Sequence, residues 1–156
     1  MTSRSLTVTE VALARSVFGD AIRYQDVRVH AAKWWPFQPR QIAMAPNGHL
    51  YFNPKGDLYC DDFCDRPMTR QGLFIHEMTH VWQHQTGTNL ILKRHPFCRY
   101  DYALKPGWTL KRYGIEQQAE IVRHAFLLAR GESVPAAPPL EVYRAILPFQ
   151  PSSSRT

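Results

Sequence analysis

The clearest sign of a chemical function in this chain is a pair of histidines four residues apart, His76 and His80. Residues at i and i+4 lie on one face of an α-helix, so both imidazoles can reach a single metal ion. Catalytic zinc sites use three protein ligands and keep an open position for water. Glu77 completes an H-E-x-x-H pattern, in which the glutamate acts as general base on that water. The pattern predicts a zinc site of the kind that hydrolyses peptide bonds.

The third ligand is predicted further along the chain, where Glu116 and Glu120 are also four residues apart. One carboxylate can bind the metal while the other accepts a hydrogen bond from a ligand histidine. We assign Glu116 as the third ligand and Glu120 as the hydrogen-bond partner of a histidine. Spacing alone leaves two alternatives open: the reverse assignment, and a helix on which both carboxylates face solvent. Ala119 would let this helix approach the first one closely.

Other side chains compete for roles at the site. His84 extends the series of four-residue steps, but each step drifts about 40° around a helix, so we do not expect it to bind the same ion. His30, His49 and His95 have no motif partner and are expected in loops or at strand ends. The donor that stabilises the developing oxyanion stays open among four side chains: Tyr100, Tyr102, Tyr113 and His124. The three cysteines lack the paired spacing of a zinc knuckle, and their odd number argues against a disulfide framework. One disulfide is possible, but we expect free thiols at Cys60, Cys64 and Cys98.

Two helices must carry the candidate ligands. The first is predicted between Thr69 as N-cap and Gly87 as the residue that ends it. The second is predicted over Gly114–Arg130, ended by Gly131. Both contain apolar residues at helical spacing, so both are expected to be partly buried.

A small antiparallel sheet is predicted ahead of these helices. Residues 27–29 alternate like a short strand, and Asn47-Gly48 lies between the apolar runs 41–45 and 49–52. An Asn-Gly pair in that position is typical of a β-hairpin. One strand of this hairpin is expected at the edge of the sheet beside the metal cleft.

The remaining segments are predicted from local signals. Thr7 and Glu10 form a capping box that begins an N-terminal helix. Residues 88–113 look irregular, and we expect this long segment to pass over or beside the metal. A short helix over 140–147 is followed by a polar tail from about residue 148, whose last residues are expected to fray.

Composition limits the class of protein. A chain of 156 residues with 44% hydrophobic residues fits a single domain, expected over 1–156. The net charge of +6 comes from scattered lysines and arginines, so we expect no nucleic-acid partner. There is no run of about 18 apolar residues, and we expect no membrane span. Residues 1–10 are polar and lack the apolar core of a secretory signal, so we expect synthesis in the cytoplasm and export, if any, by other machinery.

The two helical motifs resemble the zincin metallopeptidases of the gluzincin kind. In those families H-E-x-x-H is followed on a later helix by E-x-x-A-[DE] or E-x-x-S-D, whose first acid is the third ligand and whose last acid supports a histidine. Glu116 and Glu120 occupy these positions. More closely, the chain resembles a bacterial group of Vgr-related proteins over roughly residues 6–130. The segments that carry this resemblance are 13–20, 43–48, 74–83 and 113–122.

This resemblance implies an α+β, zincin-like fold, with a small antiparallel sheet packed on the H-E-x-x-H helix and a second, glutamate-bearing helix. It implies Zn²⁺-dependent hydrolysis of a peptide or protein substrate by a metal-activated water. Related domains are fused to type VI secretion spike proteins as metallopeptidase effectors, which implies export by a contractile secretion system, with a spike protein and an immunity protein as partners.

Two other readings of the resemblance stay open: a catalytically silent adaptor of a secretion system, and an amidase that cleaves peptidoglycan stem peptides. Glu77 favours an enzyme over the adaptor. A purely structural zinc site would fill its fourth position with a protein ligand rather than leave it for water.

Overall fold

The structure, a computed structural model, describes residues 2–93 and 98–150. The architecture of these residues is mixed α+β, as predicted. His95 and the tail residues after 150 lie outside the described residues. In chain order the strands and helices are β1 (Thr2–Ser5), α1 (Val8–Phe18), β2 (Arg28–Ala31), β3 (Leu50–Tyr51), α2 (Met68–Gln85), α3 (Leu90–Lys93), α4 (Ile115–Ala129) and α5 (Leu140–Arg144).

The long helices α2 and α4 pack against each other, and their apolar faces join one hydrophobic cluster with α1 and the sheet. Ala119 of α4 is fully buried, as predicted for a position of close approach. On α2, Gly72 faces the side chains of Arg123 and Leu127. The other fully buried apolar side chains of the two helices are Phe74, Ile75, Met78, Val81, Ile121 and Val122.

Both long helices end at the predicted glycines. Gly87 has φ +98° and Gly131 has φ +81°, values that favour a residue without a Cβ. After α2, the Thr88 N–H donates to the Gln83 carbonyl at 2.9 Å. The Gly87 N–H donates to the His84 carbonyl at 3.1 Å, and together these bonds form a Schellman cap. Gly131 closes α4 through the same pair of bonds.

The start of α2 differs from the prediction. The helix begins at Met68 with Pro67 at the N-cap, so Thr69 is already inside the first turn. Proline has no N–H that needs a partner, and its carbonyl accepts the N–H groups of Arg70 at 2.9 Å and Gln71 at 3.1 Å. The prediction of Thr69 as N-cap is therefore wrong by two residues.

The capping box of α1 is confirmed and extends into the core. Thr7 Oγ1 accepts from the Glu10 N–H at 3.0 Å, and Glu10 Oε2 accepts from the Thr7 N–H at 3.1 Å. The fully buried Glu10 carboxylate also accepts from the Arg4 guanidinium and, at 3.0 Å, from the Phe63 N–H. This carboxylate links β1 and α1 to the single turn at 63–65 that leads into α2.

The sheet is mixed, which corrects the predicted antiparallel sheet. Its order is β1-β2-β3, with β1 antiparallel to β2 and β2 parallel to β3. The predicted hairpin is reduced to one antiparallel bridge, in which Met44 and Tyr51 exchange hydrogen bonds of 3.0 and 2.8 Å. Next to this bridge the Gln38 side chain, rather than a further backbone pair, joins the two segments, because its amide donates to the carbonyls of Ile42 and Tyr51.

Strand β1 has no signal in the sequence because its side chains are polar and show no apolar alternation. It is an edge strand whose position is fixed by hydrogen bonds from a neighbouring strand. The Arg28 guanidinium of β2 donates to Ser5 Oγ at 3.2 Å and to Ser3 Oγ at 3.0 Å.

The C-terminal part is more buried than the sequence indicates. Helix α5 is shorter than the predicted 140–147, but Phe149 is buried and packs edge-to-face on Phe18 and Trp82, each at 4.9 Å between ring centroids. The polar tail predicted from about residue 148 therefore begins later, because Phe149 still belongs to the core. Within the described residues, no helix combines the length and hydropathy needed to cross a membrane.

Candidate metal centre

The motif histidines and one glutamate converge between α2 and α4. His76 Nε2 lies 3.6 Å from Glu116 Oε1, and His80 Nε2 contacts the same oxygen. The three side chains are buried, and their ligand atoms lie within 4.8 Å of one another. In the part of the chain that the structure describes, this is the one group of three such side chains that can hold a metal ion.

Hydrogen bonds at the other ring nitrogen orient both imidazoles. His76 Nδ1 lies 3.3 Å from Glu120 Oε2, and His80 Nδ1 lies 2.8 Å from Gln83 Oε1. A carboxylate or amide oxygen can only accept, so each Nδ1 is the donor. A neutral ring of this tautomer presents the lone pair of its Nε2 to the cluster.

A cation fits the atoms that meet in this cluster. With both rings neutral and their Nδ1–H groups turned to Glu120 and Gln83, neither Nε2 can donate to Glu116 Oε1, so three electron-rich atoms face one another. Burial by itself lowers the pKa of His76, but hydrogen bonds to Glu116 and Glu120 raise it to about 10. In the metal-free protein a proton therefore supplies the positive charge. Two imidazoles and a carboxylate are a donor set that suits Zn²⁺ and other divalent transition metals.

The two glutamates of α4 are held as anions. Burial raises the pKa of Glu116, but the hydrogen bonds from His76 and His80 outweigh it and hold this pKa well below its usual range. Burial likewise raises the pKa of Glu120, and hydrogen bonds from His76 and Arg123 lower it to about 2. Both carboxylates are thus charged at neutral pH, as a metal ligand and a histidine acceptor must be.

Glu77 lies in the same cleft as the cluster. It is buried on α2 and lines, with both histidines and both glutamates, a cleft of about 220 Å³. Another part of the wall is the segment 41–43, which directly precedes the bridge at Met44. Tyr100 completes the wall, and its ring stacks on His76 with 6.1 Å between centroids. The long segment after α2 lies beside the cluster, as predicted. Residues 41–43 also lie there, but they are not the strand at the sheet edge that was predicted.

The other predicted donors lie outside this cleft. Tyr102 Oη lies 2.6 Å from His124 Nδ1 and 2.6 Å from Tyr143 Oη. Tyr113 Oη accepts from the Lys105 N–H at 2.9 Å. His84 is exposed next to Gly48, away from the cluster, as its drift around the helix predicts.

Two residues that support the site were missed from the sequence. Gln83 orients His80, and Arg123 donates to Glu120 from Nε at 2.5 Å and from Nη2 at 3.2 Å. Each follows its partner by three residues on the same helix, which places both on the same face. A spacing of three residues was therefore the only signal of these two supporting residues in the sequence. It is too common on helices to identify a hydrogen-bonded pair by itself.

The fold and the cluster define a mixed α+β domain with a candidate His-His-Glu metal site. The chain is 47% identical, over 132 residues, to the type VI secretion system spike protein VgrG2b of Pseudomonas aeruginosa. That match spans 80% of this chain but only 13% of the spike protein.

A solved structure of the effector domain of Pseudomonas aeruginosa VgrG2b has the same fold, with a TM-score of 0.74 and 44% identity. The superposition covers 83% of this chain and 76% of that one. No protein-family model matches the chain. The chain belongs to the family of the VgrG2b effector domain, which confirms the predicted relationship to Vgr-related proteins.

Proposed function

We propose that this chain is a zinc-dependent metallopeptidase that acts as a type VI secretion effector. The observation that carries the proposal is the cluster of His76, His80 and Glu116 with Glu77 in the same cleft. The family supports the effector role, because the solved relative is an effector domain. A structural zinc site would have no use for a buried carboxylate beside an accessible cleft, which favours an enzyme.

In this proposal His76, His80 and Glu116 hold Zn²⁺. When bound, the ion would polarise the scissile carbonyl and lower the pKa of a water molecule to about 7. Glu120 and Gln83 accept from the Nδ1–H groups of the two histidines and keep each Nε2 turned toward the ion. Arg123 in turn holds the Glu120 carboxylate.

Glu77 is the proposed general base. It takes a proton from the attacking water as the bond from oxygen to the carbonyl carbon forms, and it delivers that proton to the leaving amine as the C–N bond breaks. Tyr100 is the proposed donor to the developing oxyanion, because it is the one of the four candidates that lines the cleft. Tyr102 and His124 are engaged with each other instead.

Two substitutions separate metal binding from catalysis. We expect Glu77→Gln to keep zinc but to lower the rate of casein hydrolysis at least about 100-fold, because a general base contributes that much. His80→Ala should lose both zinc and activity. Zinc content is measured by atomic absorption on the purified proteins, with Glu132→Gln, on the exposed turn after α4, as the control. A Glu77→Gln protein that cleaves casein at the wild-type rate would overturn the mechanism.

Purified cell wall, digested in parallel with casein, distinguishes the two other readings. Release of peptides from cell wall alone would indicate the amidase, and no hydrolysis of either substrate by the zinc-loaded protein would indicate the adaptor.

The proposed partners are a peptide or protein substrate, a spike protein for delivery and an immunity protein. Growth inhibition of a bacterium that produces the wild-type chain, absent with Glu77→Gln, checks the effector role.

A further inference from the structure

A larger cavity of about 740 Å³ adjoins the metal cleft and shares four residues with it, namely Ile42, His80, Tyr100 and Glu116. Apart from His80 and Glu116, no described residue that lines this cavity carries a charge. We call it the apolar groove, and its remaining large apolar side chains are Trp34, Trp35, Met44, Leu90, Ile91 and Ile115. Its volume lies within the range of about 300–1,000 Å³ that is common for ligand sites.

More than half of the exposed large apolar side chains of the described residues line the apolar groove. Among the described residues nine large hydrophobic side chains are exposed, and five of them line the groove. Those five are Trp34, Trp35, Ile42, Ile91 and Tyr100. Single exposed apolar residues are ordinary, but a contiguous group of them marks a binding surface.

The buried side chain of Gln38 holds the wall of the groove that contains the tryptophans. Gln38 is 2% exposed, and its Oε1 accepts from the Trp34 N–H at 2.7 Å. Its Nε2 donates to the carbonyls of Ile42 at 2.9 Å and Tyr51 at 3.0 Å. The Asn53 side chain donates to the Gln38 carbonyl at 2.8 Å. This wall is therefore preorganised, which lowers the entropy that binding would cost.

We infer that the apolar groove binds a bulky apolar side chain of the substrate, next to the bond that is cleaved. This inference rests on the proposed function, and it names the substrate class of that site. His80 and Glu116 belong to both cavities, so a peptide whose carbonyl reaches the cluster has a neighbouring side chain within reach of the groove. A charged or hydroxyl side chain there would lose water, and apart from the two proposed metal ligands the lining offers it no charged partner. An aromatic or aliphatic side chain gains apolar contact.

Binding rather than cleavage tests the groove. Capped peptides that differ in one residue, Phe, Leu, Ser or Lys, are titrated calorimetrically against zinc-loaded Glu77→Gln protein, which holds them uncleaved. We expect the Phe and Leu peptides to bind at least about tenfold more tightly than the Ser and Lys peptides, a ratio that apolar pockets commonly reach.

A matched pair of substitutions on α3 locates the effect. In the Glu77→Gln background, Ile91→Asp places a charge in the groove and should reduce the preference to no more than about threefold. Leu92→Asp is the control, because Leu92 is its neighbour, is 81% exposed and does not line the groove. Both positions are exposed, and circular dichroism checks that both proteins are folded.

The outcomes separate this inference from the proposed function. Equal affinity for all four peptides, or equal effects of Ile91→Asp and Leu92→Asp, would overturn the groove as a specificity site. If the wild-type protein cleaves the Phe and Ser peptides at equal rates, the peptidase stands and the groove is overturned. If the preference in binding appears but no peptide is cleaved, the groove stands as a binding site and the peptidase is wrong.

Discussion

Gln83 connects the orientation of one ligand with the packing of the helices. Its side chain is 1% exposed, and its Oε1 accepts from His80 while its Nε2 donates to the Ile115 carbonyl and to Gln118 Oε1, each at 3.0 Å. The amide therefore fixes the imidazole relative to the start of α4, where Glu116 lies. Outer partners of this kind commonly affect metal affinity by about 10- to 100-fold.

We expect Gln83→Leu to weaken zinc binding by about 10- to 100-fold, because His80 loses the acceptor that sets its tautomer. Affinity is measured by competition with a chromophoric chelator. The matched control is Gln118→Leu, which removes the bond between the two amides without touching His80. It should destabilise the protein but leave zinc affinity nearly unchanged. An equal loss of affinity in both variants would show that packing, not orientation, is responsible.

At the scale of elements, the site depends on how α2 is anchored at its N-terminal end. The turn at 63–65 leads directly into α2, and Glu10 of α1 holds that turn through the Phe63 N–H. The same carboxylate pairs with Arg4 of β1 at 2.9 Å. Three separate elements thus meet on one buried anion, which makes Glu10 a structural residue although it is charged.

We expect Glu10→Ala to lower the free energy of unfolding by about 2–3 kcal/mol, because the Phe63 N–H and the Arg4 guanidinium lose their acceptor. The loss is at the lower end for a buried pair, since the Arg4 side chain is 19% exposed and can reach water. Urea denaturation of the metal-free protein measures it. Glu132→Ala, at an exposed position, should stay within about 0.5 kcal/mol of wild type, and a similar value for Glu10→Ala would contradict the prediction.

At the scale of the whole molecule, the buried cluster makes stability depend on pH and on metal together. In the metal-free protein the pKa of His76 is raised from 6.5 to about 10, so its contribution to stability is fully present below pH 6.5 and is lost as the pH rises toward 10. The pKa of Glu120 is lowered from 4.5 to about 2, so its contribution is present above pH 4.5 and is lost as the pH falls toward 2. The cluster therefore stabilises the metal-free fold most between those limits, from pH 4.5 to 6.5.

We expect bound zinc to oppose the loss of stability that the metal-free protein shows as the pH rises above 6.5. A metal ligand must be deprotonated, so zinc displaces the proton of His76 and binds more tightly as the pH rises. The increase in Tm that saturating zinc causes should therefore grow between about pH 6.5 and pH 8.5. Differential scanning fluorimetry with and without zinc measures this increase, and His80→Ala should show almost none. An increase that is constant over the range would mean that the cluster is not the zinc site.

Much of the site could be predicted because its signals are local. The four-residue spacing of His76 and His80 places them on one helical face by helix geometry alone. The helix ends at Gly87 and Gly131 and the capping box at Thr7 follow from backbone conformation within a few residues, and all three are confirmed. The predicted roles of Glu77, Glu116 and Glu120 agree with the geometry and stay predictions until they are tested.

The parts that could not be predicted depend on contacts between distant residues. The hairpin was wrong in extent because, beyond the bridge at Met44, the side chain of the distant Gln38 donates to the carbonyls of Ile42 and Tyr51. The polar strand β1 carries no apolar pattern. The choice of Tyr100 among four candidate donors, and the apolar groove beside it, depend on how the segment after α2 passes the segment 41–43.

The sequence by itself determined which side chains share a face of each helix, because the α-helix repeats every 3.6 residues whatever surrounds it. Only the tertiary structure decided which carboxylate meets which nitrogen. Glu120 contacts His76 across 44 positions of the chain, and such a contact exists only because α2 and α4 pack against each other. The packing of two helices depends on their whole apolar faces, which no short spacing encodes.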